Sequence, residues 1–134
     1  MATAGLVRNG TAGRDTIVGT NGDDTINGGA LADTLTGGAG ADAFVYTSMR
    51  DAGDTIADFT PYADTIKLNA LLSSVGYSGN QAVAAGYVRF VDVSGGVSVQ
   101  IDADGATGPA TFRPLVTLKG LTAKQVVSAR DLGL

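Results

Sequence analysis

Residues 10–45 read GTAGRDTIV, GTNGDDTIN, GGALADTLT, GGAGADAFV: four nonapeptides in unbroken register. Position one is always Gly (Gly10, Gly19, Gly28, Gly37) and position six always Asp (Asp15, Asp24, Asp33, Asp42). Position eight is always large and apolar (Ile17, Ile26, Leu35, Phe44). A fixed period of this kind marks a solenoid. The first six residues, rich in Gly, make a turn that needs a residue tolerant of positive φ. The Asp closes that turn and aims a carboxylate into it. Three residues then form a strand, and alternation across a strand sends only the middle one inward. The spacing therefore predicts a narrow core of Ile17, Ile26, Leu35 and Phe44, with Thr16, Thr25 and Thr34 facing water.

Each nonapeptide makes half a coil, so every second turn shares an edge. Asp15 and Asp33 fall on one edge, Asp24 and Asp42 on the other. Stacking brings like charges together, and such a pair at about 4 Å costs about 4 kcal/mol at an effective dielectric near 20. A hard cation reverses that sign. Calcium takes roughly 6–8 oxygen ligands in flexible geometry, whereas magnesium demands a stricter octahedron. Softer metals have no nitrogen or sulfur ligand to prefer. Several calcium ions are thus the expected cofactor, with folding coupled to their binding. The bland alternative is a metal-free β-solenoid with Gly–Asp turns. A phosphate-cradling loop needs a strand before GGAGAD and a helix after it, but a strand pattern (Ala43 to Tyr46) follows.

Two departures stand inside the array. Thr11 and Thr20 replace the second Gly of repeats one and two, a mild change. Leu31 replaces the fourth-position Gly of repeat three; a left-handed backbone there costs about 1–2 kcal/mol.

The rest of the composition agrees with turns and strands. All 13 acidic residues are Asp, and there are 20 Gly. Asp suits turns, while the better helix former Glu is missing. The chain has no Cys and no His, which removes thiolate and imidazole metal sites and the usual catalytic triads. No nucleophile–base pair remains to support an enzyme. A net charge of −4 argues against nucleic acid as a partner. No run of 18 or so apolar residues spans a membrane, and the first residues lack the pattern of a cleaved secretory signal.

Three regions are expected: a lead-in (1–9), the array (10–45) and a C-terminal β cap (46–134). Asp-Thr-Ile returns at Asp54–Ile56 and Asp64–Ile66, but the interval no longer obeys nine, so the coil is expected to have ended. Asp54, Asp58 and Asp64 either complete half-sites left open by the last repeats or are ordinary turn residues. Tyr87–Val93, the alternating Val97–Ile101 and Pro114–Leu118 read as cap strands, with a turn at Ser94-Gly95-Gly96. Asn69–Val75 suggests a helical turn. Thr122-Ala123-Lys124-Gln125 has the spacing of a capping box opening a short helix to about Arg130. Asp102-Ala103-Asp104-Gly105 lacks the later ligands of an EF-hand loop and reads as a solvated hairpin tip.

From residue 10 onward the chain resembles the C-terminal region of RTX proteins exported by type I secretion. The nonapeptides carry most of the resemblance. GGAGADAFVY, DTIADF, ADTIKL, IDADG, VTLKG and the closing LTAKQVV and DLGL add to it, although the ending Arg130–Leu134 departs from the family's usual acidic-then-apolar tail. The resemblance implies an all-β fold, a right-handed parallel β-roll followed by a β-sandwich-like cap and a short C-terminal helix. It implies calcium ligands at Asp15, Asp24, Asp33 and Asp42, with turn carbonyls at Gly10, Ala12, Gly19, Asn21, Gly28, Ala30, Gly37 and Ala39. It also implies a module that folds on calcium outside the cell, with an uncleaved export signal near the C-terminus and a type I exporter as partner. Similar rolls stand beside alginate-modifying catalytic domains, which makes an acidic polysaccharide the alternative partner. The arginines that would serve it (Arg8, Arg14, Arg50, Arg89, Arg113) are scattered in the sequence.

Overall fold

A computed structural model describes residues 5, 7–47, 53–60, 63–74, 77, 86–102 and 112–125. Seven three-residue strands come first: β1 (Val7–Asn9), β2 (Thr16–Val18), β3 (Thr25–Asn27), β4 (Thr34–Thr36), β5 (Ala43–Val45), β6 (Asp54–Ile56) and β7 (Thr65–Lys67). A short helix α1 (Asn69–Ser74) follows, then three longer strands, β8 (Val88–Val93), β9 (Gly96–Ile101) and β10 (Arg113–Lys119). The last described element is a single 3-10 turn, Ala123–Gln125.

The short strands alternate between two sheets. One sheet has the order β1-β3-β5-β7, all parallel; the other runs β2-β4-β6-β10-β9-β8. This is a parallel β-roll, and its register is the one the nonapeptide dictates. Ile17 lies beside Leu35, and Leu35 beside Ile56, in one sheet. Ile26, Phe44 and Ile66 align in the other. All of these are buried except Ile17, which packs half-buried at the first coil, while Thr16, Thr25 and Thr34 are exposed as expected.

The coil neither starts at residue 10 nor ends at residue 45. β1 already pairs with β3, placing Arg8 in the register of Ile26. Beyond the array, β6 and β7 add a further coil through bonds such as Thr55 N–H to Asp33 O (2.9 Å) and Thr65 N–H to Asp42 O (2.8 Å). The expected end of the coil at residue 45 is therefore corrected. Each Asp-Thr-Ile keeps the order of positions six to eight, and the extra residues are absorbed in the turns, where added length costs little. Phe59 helps anchor the last of these turns, its ring 6.2 Å from that of Phe44.

The remaining strands extend the six-stranded sheet. β10 pairs parallel with β6, so Leu118 continues the inner column beyond Ile56, and β9 and β8 add on antiparallel. Strand β9 was expected to be half-buried, but Val97, Ser98, Val99 and Ile101 are all buried. The hairpin turn is Ser94-Gly95, and Gly96 already belongs to β9, where a Cβ would collide with the Leu118 carbonyl. Asp102 is not a solvated tip. It is 1 % exposed, and its N–H continues the pairing to the Tyr87 carbonyl at 2.9 Å; residues 103–105 lie outside the described part. The glutamine half of the capping box is present, with Thr122 N–H donating to Gln125 Oε1 at 2.8 Å. It opens the 3-10 turn Ala123–Gln125, and the rest of the expected helix to about Arg130 lies outside the described residues. No helix among the described residues is long and apolar enough to cross a membrane.

Candidate metal centre

Along one edge of the roll the Asp15 N–H donates to Asp33 Oδ1 (2.7 Å), and the Asp33 N–H donates to Asp54 Oδ1 (2.8 Å). Along the other, the Asp24 N–H donates to Asp42 Oδ1 and the Asp42 N–H to Asp64 Oδ1, both at 2.9 Å. The four repeat aspartates thus divide between the edges as their spacing predicts. Asp54 and Asp64 continue the two ladders at intervals of 21 and 22 residues in place of 18. Asp58 comes in beside them, accepting from the Gly37 and Gly38 N–H groups, each at 2.8 Å. Asp24, Asp33, Asp42, Asp54 and Asp64 are buried; Asp15, on the first coil, is half-buried.

Sequence reasoning missed Asp23. Its carboxylate accepts from the Ala41 N–H of the neighbouring turn at 2.7 Å. The doubled Asp of GTNGDD was the available signal, but position five is variable in the repeat and the residue was passed over.

Position two divides the turns into two kinds. Where it is Thr, its N–H closes onto Oδ2 of the Asp four residues on: Thr11 to Asp15 (2.7 Å) and Thr20 to Asp24 (2.6 Å). The hydroxyls of Thr11 and Thr20 bond the same carboxylates. Thr60 repeats the N–H bond to Asp64 at 2.8 Å. Where position two is Gly, the backbone turns left-handed, with φ of +82° at Gly29 and +87° at Gly38. Position four is then left-handed too, at Leu31 (+66°) and Gly40 (+90°), whereas Gly13 and Gly22 are not. The N–H groups consequently point elsewhere, Gly29 to Asn27 Oδ1 at 3.0 Å and Gly38 to Asp58 Oδ2.

The cost falls on Asp42. Its Oδ2 is buried with no hydrogen-bond donor among the described residues. Burial raises the Asp42 carboxyl to about 6; the Asp24 N–H opposes this, and the negative charges of Asp64, Asp24 and Asp58 add to it. Burial also raises Asp64, against the N–H groups of Asp42 and Thr60. A buried carboxylate oxygen without a donor, among like charges, is what a bound cation would satisfy.

Turn carbonyls stand close to these carboxylates. The Gly28 and Gly37 carbonyls press on Gly10 and Gly19 of the stacked turn, so closely that a Cβ at either glycine would collide with them. Ala12, Asn21 and Ala39 are exposed at the bends, and Ala30 is half-buried. Among the described residues no three acidic side chains form a metal-holding group. A cation here would therefore combine carboxylates with turn carbonyls, an all-oxygen set that fits calcium.

The comparisons with known proteins agree. The chain is similar over 98 % of its length, and over 92 % of the other's, to the AlgE6R2 subunit of the Azotobacter vinelandii mannuronan C5-epimerase, with a TM-score of 0.62 and 24 % identity. The AlgE6R3 subunit of the same epimerase aligns with 95 % of this chain and 81 % of its own, at a TM-score of 0.50 and 28 % identity. No curated protein matches by sequence. Residues 9–44 match the model of the RTX calcium-binding nonapeptide repeat in four copies, a calcium-binding repeat and not a catalytic domain. This segment of the chain accordingly carries four copies of the RTX calcium-binding nonapeptide repeat.

Proposed function

We propose that the chain is a calcium-locked folding module, carried at the C-terminal end of a larger protein that leaves the cell by a type I exporter. The carboxylates of Asp15, Asp24, Asp33, Asp42, Asp54, Asp58 and Asp64, with turn carbonyls, are its ligands. The supporting observation is the pair of buried aspartate ladders, whose mutual repulsion a bound cation would relieve. Such a chain stays threadable where calcium is scarce and closes where calcium is abundant. At about a tenfold excess of free calcium over the dissociation constant, each independent site adds about 1.4 kcal/mol, so several together switch the fold. Circular dichroism of the full chain during a calcium titration tests the folding half: strand signal should rise with calcium and fall with chelator. Deleting 121–134 tests the export half and should abolish secretion by a type I exporter; unchanged secretion would remove that role.

A second reading, a polysaccharide-binding accessory module, draws support from the likeness to the two mannuronan C5-epimerase subunits over nearly the whole chain. Arg89 would be one cation for it, its Nε donating to Gln100 Oε1 at 2.8 Å and its guanidinium lying 4.1 Å over the Phe112 ring. Arg8, Arg14 and Arg113 are exposed as well; Arg50 lies outside the described residues. Titration with polymannuronate should give saturable binding, and a flat trace would dismiss this reading.

A further inference from the structure

The sequence holds three Asn–Gly dipeptides, at residues 9–10, 21–22 and 27–28. Such a pair is chemically labile, because a following residue with no Cβ lets its nitrogen reach the asparagine side-chain carbon. The roll treats the three differently. The Gly10 N–H is committed to coil stacking, donated to the Asn27 carbonyl at 2.7 Å. Asn27 is half-buried, its Oδ1 accepts the Gly29 N–H at 3.0 Å, and Gly28 is buried. Asn21 stands exposed at the bend of turn 19–24, and its side chain has no hydrogen bond among the described residues. The Gly22 N–H is restrained by a side chain and not by a strand: it donates to the Thr20 hydroxyl at 3.1 Å. That hydroxyl is itself turned to Asp24 Oδ1 at 2.9 Å.

We propose that Asn21 is the site of spontaneous deamidation in the folded chain, and that the Thr20 hydroxyl is its brake. Gly22 N attacks Asn21 Cγ and forms an N–Cγ bond. The Cγ–Nδ2 bond breaks, and ammonia departs with the proton that the attacking nitrogen gives up. Water then opens the succinimide ring at either carbonyl, leaving aspartate or isoaspartate. Gly22 N must first leave the Thr20 hydroxyl, so that one hydrogen bond slows the reaction. Isoaspartate adds a methylene to the backbone of a turn that is fitted to its neighbour. A Cβ on Gly40 would meet the Gly22 carbonyl at 2.7 Å, and Asp23 Oδ1 holds the Ala41 N–H at 2.7 Å. The product therefore loosens the stacking of turns 19–24 and 37–42, and Asn21 acts as a clock on the life of the folded roll. None of these steps requires a metal or a partner.

The test ages the full chain at neutral pH, with its fold checked by circular dichroism, and digests it with trypsin. Cleavage after Arg8 and Arg14 separates Asn9 from Asn21 and Asn27, and fragmentation of the 15–50 peptide distinguishes those two by mass. In folded protein Asn21 should convert about tenfold or more faster than Asn9 or Asn27, whose release requires opening the roll. In urea the three rates should fall within about threefold of one another, because the dipeptides are then unrestrained. Thr20→Val keeps the branched shape without the hydroxyl and should speed Asn21 by about 3- to 10-fold, the rate equivalent of one hydrogen bond. Thr20→Ser, which keeps the hydroxyl, should restore the parent rate. Asn9 or Asn27 converting as fast as Asn21 in folded protein, or the same order persisting in urea, would overturn the assignment. Acceleration of all three sites by Thr20→Val, or of none, would overturn the brake. Aged parent protein should also exchange its Ala41 amide faster, while aged Asn21→Ser should not; equal exchange in the two would remove the clock.

Discussion

Turns 19–24 and 37–42 stack on one edge of the same roll, have the same length and end in the same aspartate, yet they satisfy that aspartate differently. In the first, Thr20 supplies both an N–H and a hydroxyl to Asp24. In the second, Gly38 turns its N–H toward Asp58, and Asp42 keeps a bare oxygen. One side chain at position two decides whether a turn's own donors reach its aspartate or turn to another. The period of nine sets where the carboxylates stand; position two sets what they need.

The largest expected consequence is the response to calcium removal. If two sites are held at about 100-fold above their dissociation constants, chelation should cost about 5 kcal/mol and lower Tm by about 15–30 °C. Amide exchange should locate the loss. Asp42 and its neighbours in turn 37–42 should exchange faster first, while the Thr11 and Thr20 amides, closed onto their own aspartates, should lag. Uniform acceleration of both kinds of turn would erase the distinction drawn here.

Exchanging the position-two residues should sharpen it. Gly38→Thr places a side chain on a left-handed backbone where its Cβ meets the Thr20 carbonyl. The expected loss is about 3 kcal/mol or more, strain and collision together. The reverse change, Thr20→Gly, removes the hydroxyl's two bonds, to Asp24 and from the Gly22 N–H, and adds backbone freedom, for a loss of about 1–2 kcal/mol or more. That second loss should be larger in chelator than in calcium, because the threonine bonds Asp24, itself a proposed ligand that an ion would otherwise hold. Denaturant midpoints in calcium and in chelator check both.

Acidification acts on the open turn in the opposite sense from calcium removal. In the metal-free fold the Asp42 carboxyl is raised from 3.8 to about 6, chiefly by burial and then by its acidic neighbours. Between those values the folded chain holds a proton that the unfolded chain has released, so stability falls as pH rises through this window. Metal-free protein should therefore be more stable near pH 4 than near pH 7, by on the order of 2–3 kcal/mol from this group. Asp64, shifted the same way, adds to the trend. With calcium present the order reverses, because protons compete with the ion, and affinity should drop as pH falls through about 6. Thermal melts at the two pH values, with and without chelator, would show the crossing; a chelated sample more stable at pH 7 would contradict it.

Much of this was legible in the residues. The inward column, the exposed threonines and the division of aspartates between edges all follow from a nonapeptide with two-residue strand alternation. The extra coil was not legible by counting, because Asp54 and Asp64 stand 21 and 22 residues from their partners. What survives there is the order Asp-Thr-Ile, together with Phe59 reaching the core, and neither depends on period. The meaning of Thr11 and Thr20 was also hidden. A Gly-to-Thr change looks like a mild loss of flexibility until the acceptor of its N–H is known, and that acceptor depends on φ. Asp102 was misjudged for a related reason: burial at a strand end is decided by the partner strand, here by Tyr87, which local composition does not reveal.

The smallest expected effect concerns Leu31, which sits in a Gly–Gly turn at position four with φ of +66°. Its counterpart Gly40 adopts +90° in the next repeat, so the turn requires a left-handed residue there whatever the side chain. The Leu31 side chain is 54 % exposed, so little burial offsets the strain. Leu31→Gly should relieve about 1–2 kcal/mol of backbone cost and return about half of it as added freedom of the unfolded chain. A net gain of about 0.5–1 kcal/mol is expected, with the Asn27–Gly29 bond and the Asp33 rung unchanged. Because it makes repeat three match repeat four at this position, the variant should also bring the exchange rates of their Asp33 and Asp42 amides closer together. A loss of stability would mean that Leu31 is held by contacts outside the turn, and that position four is not simply a glycine site occupied by leucine.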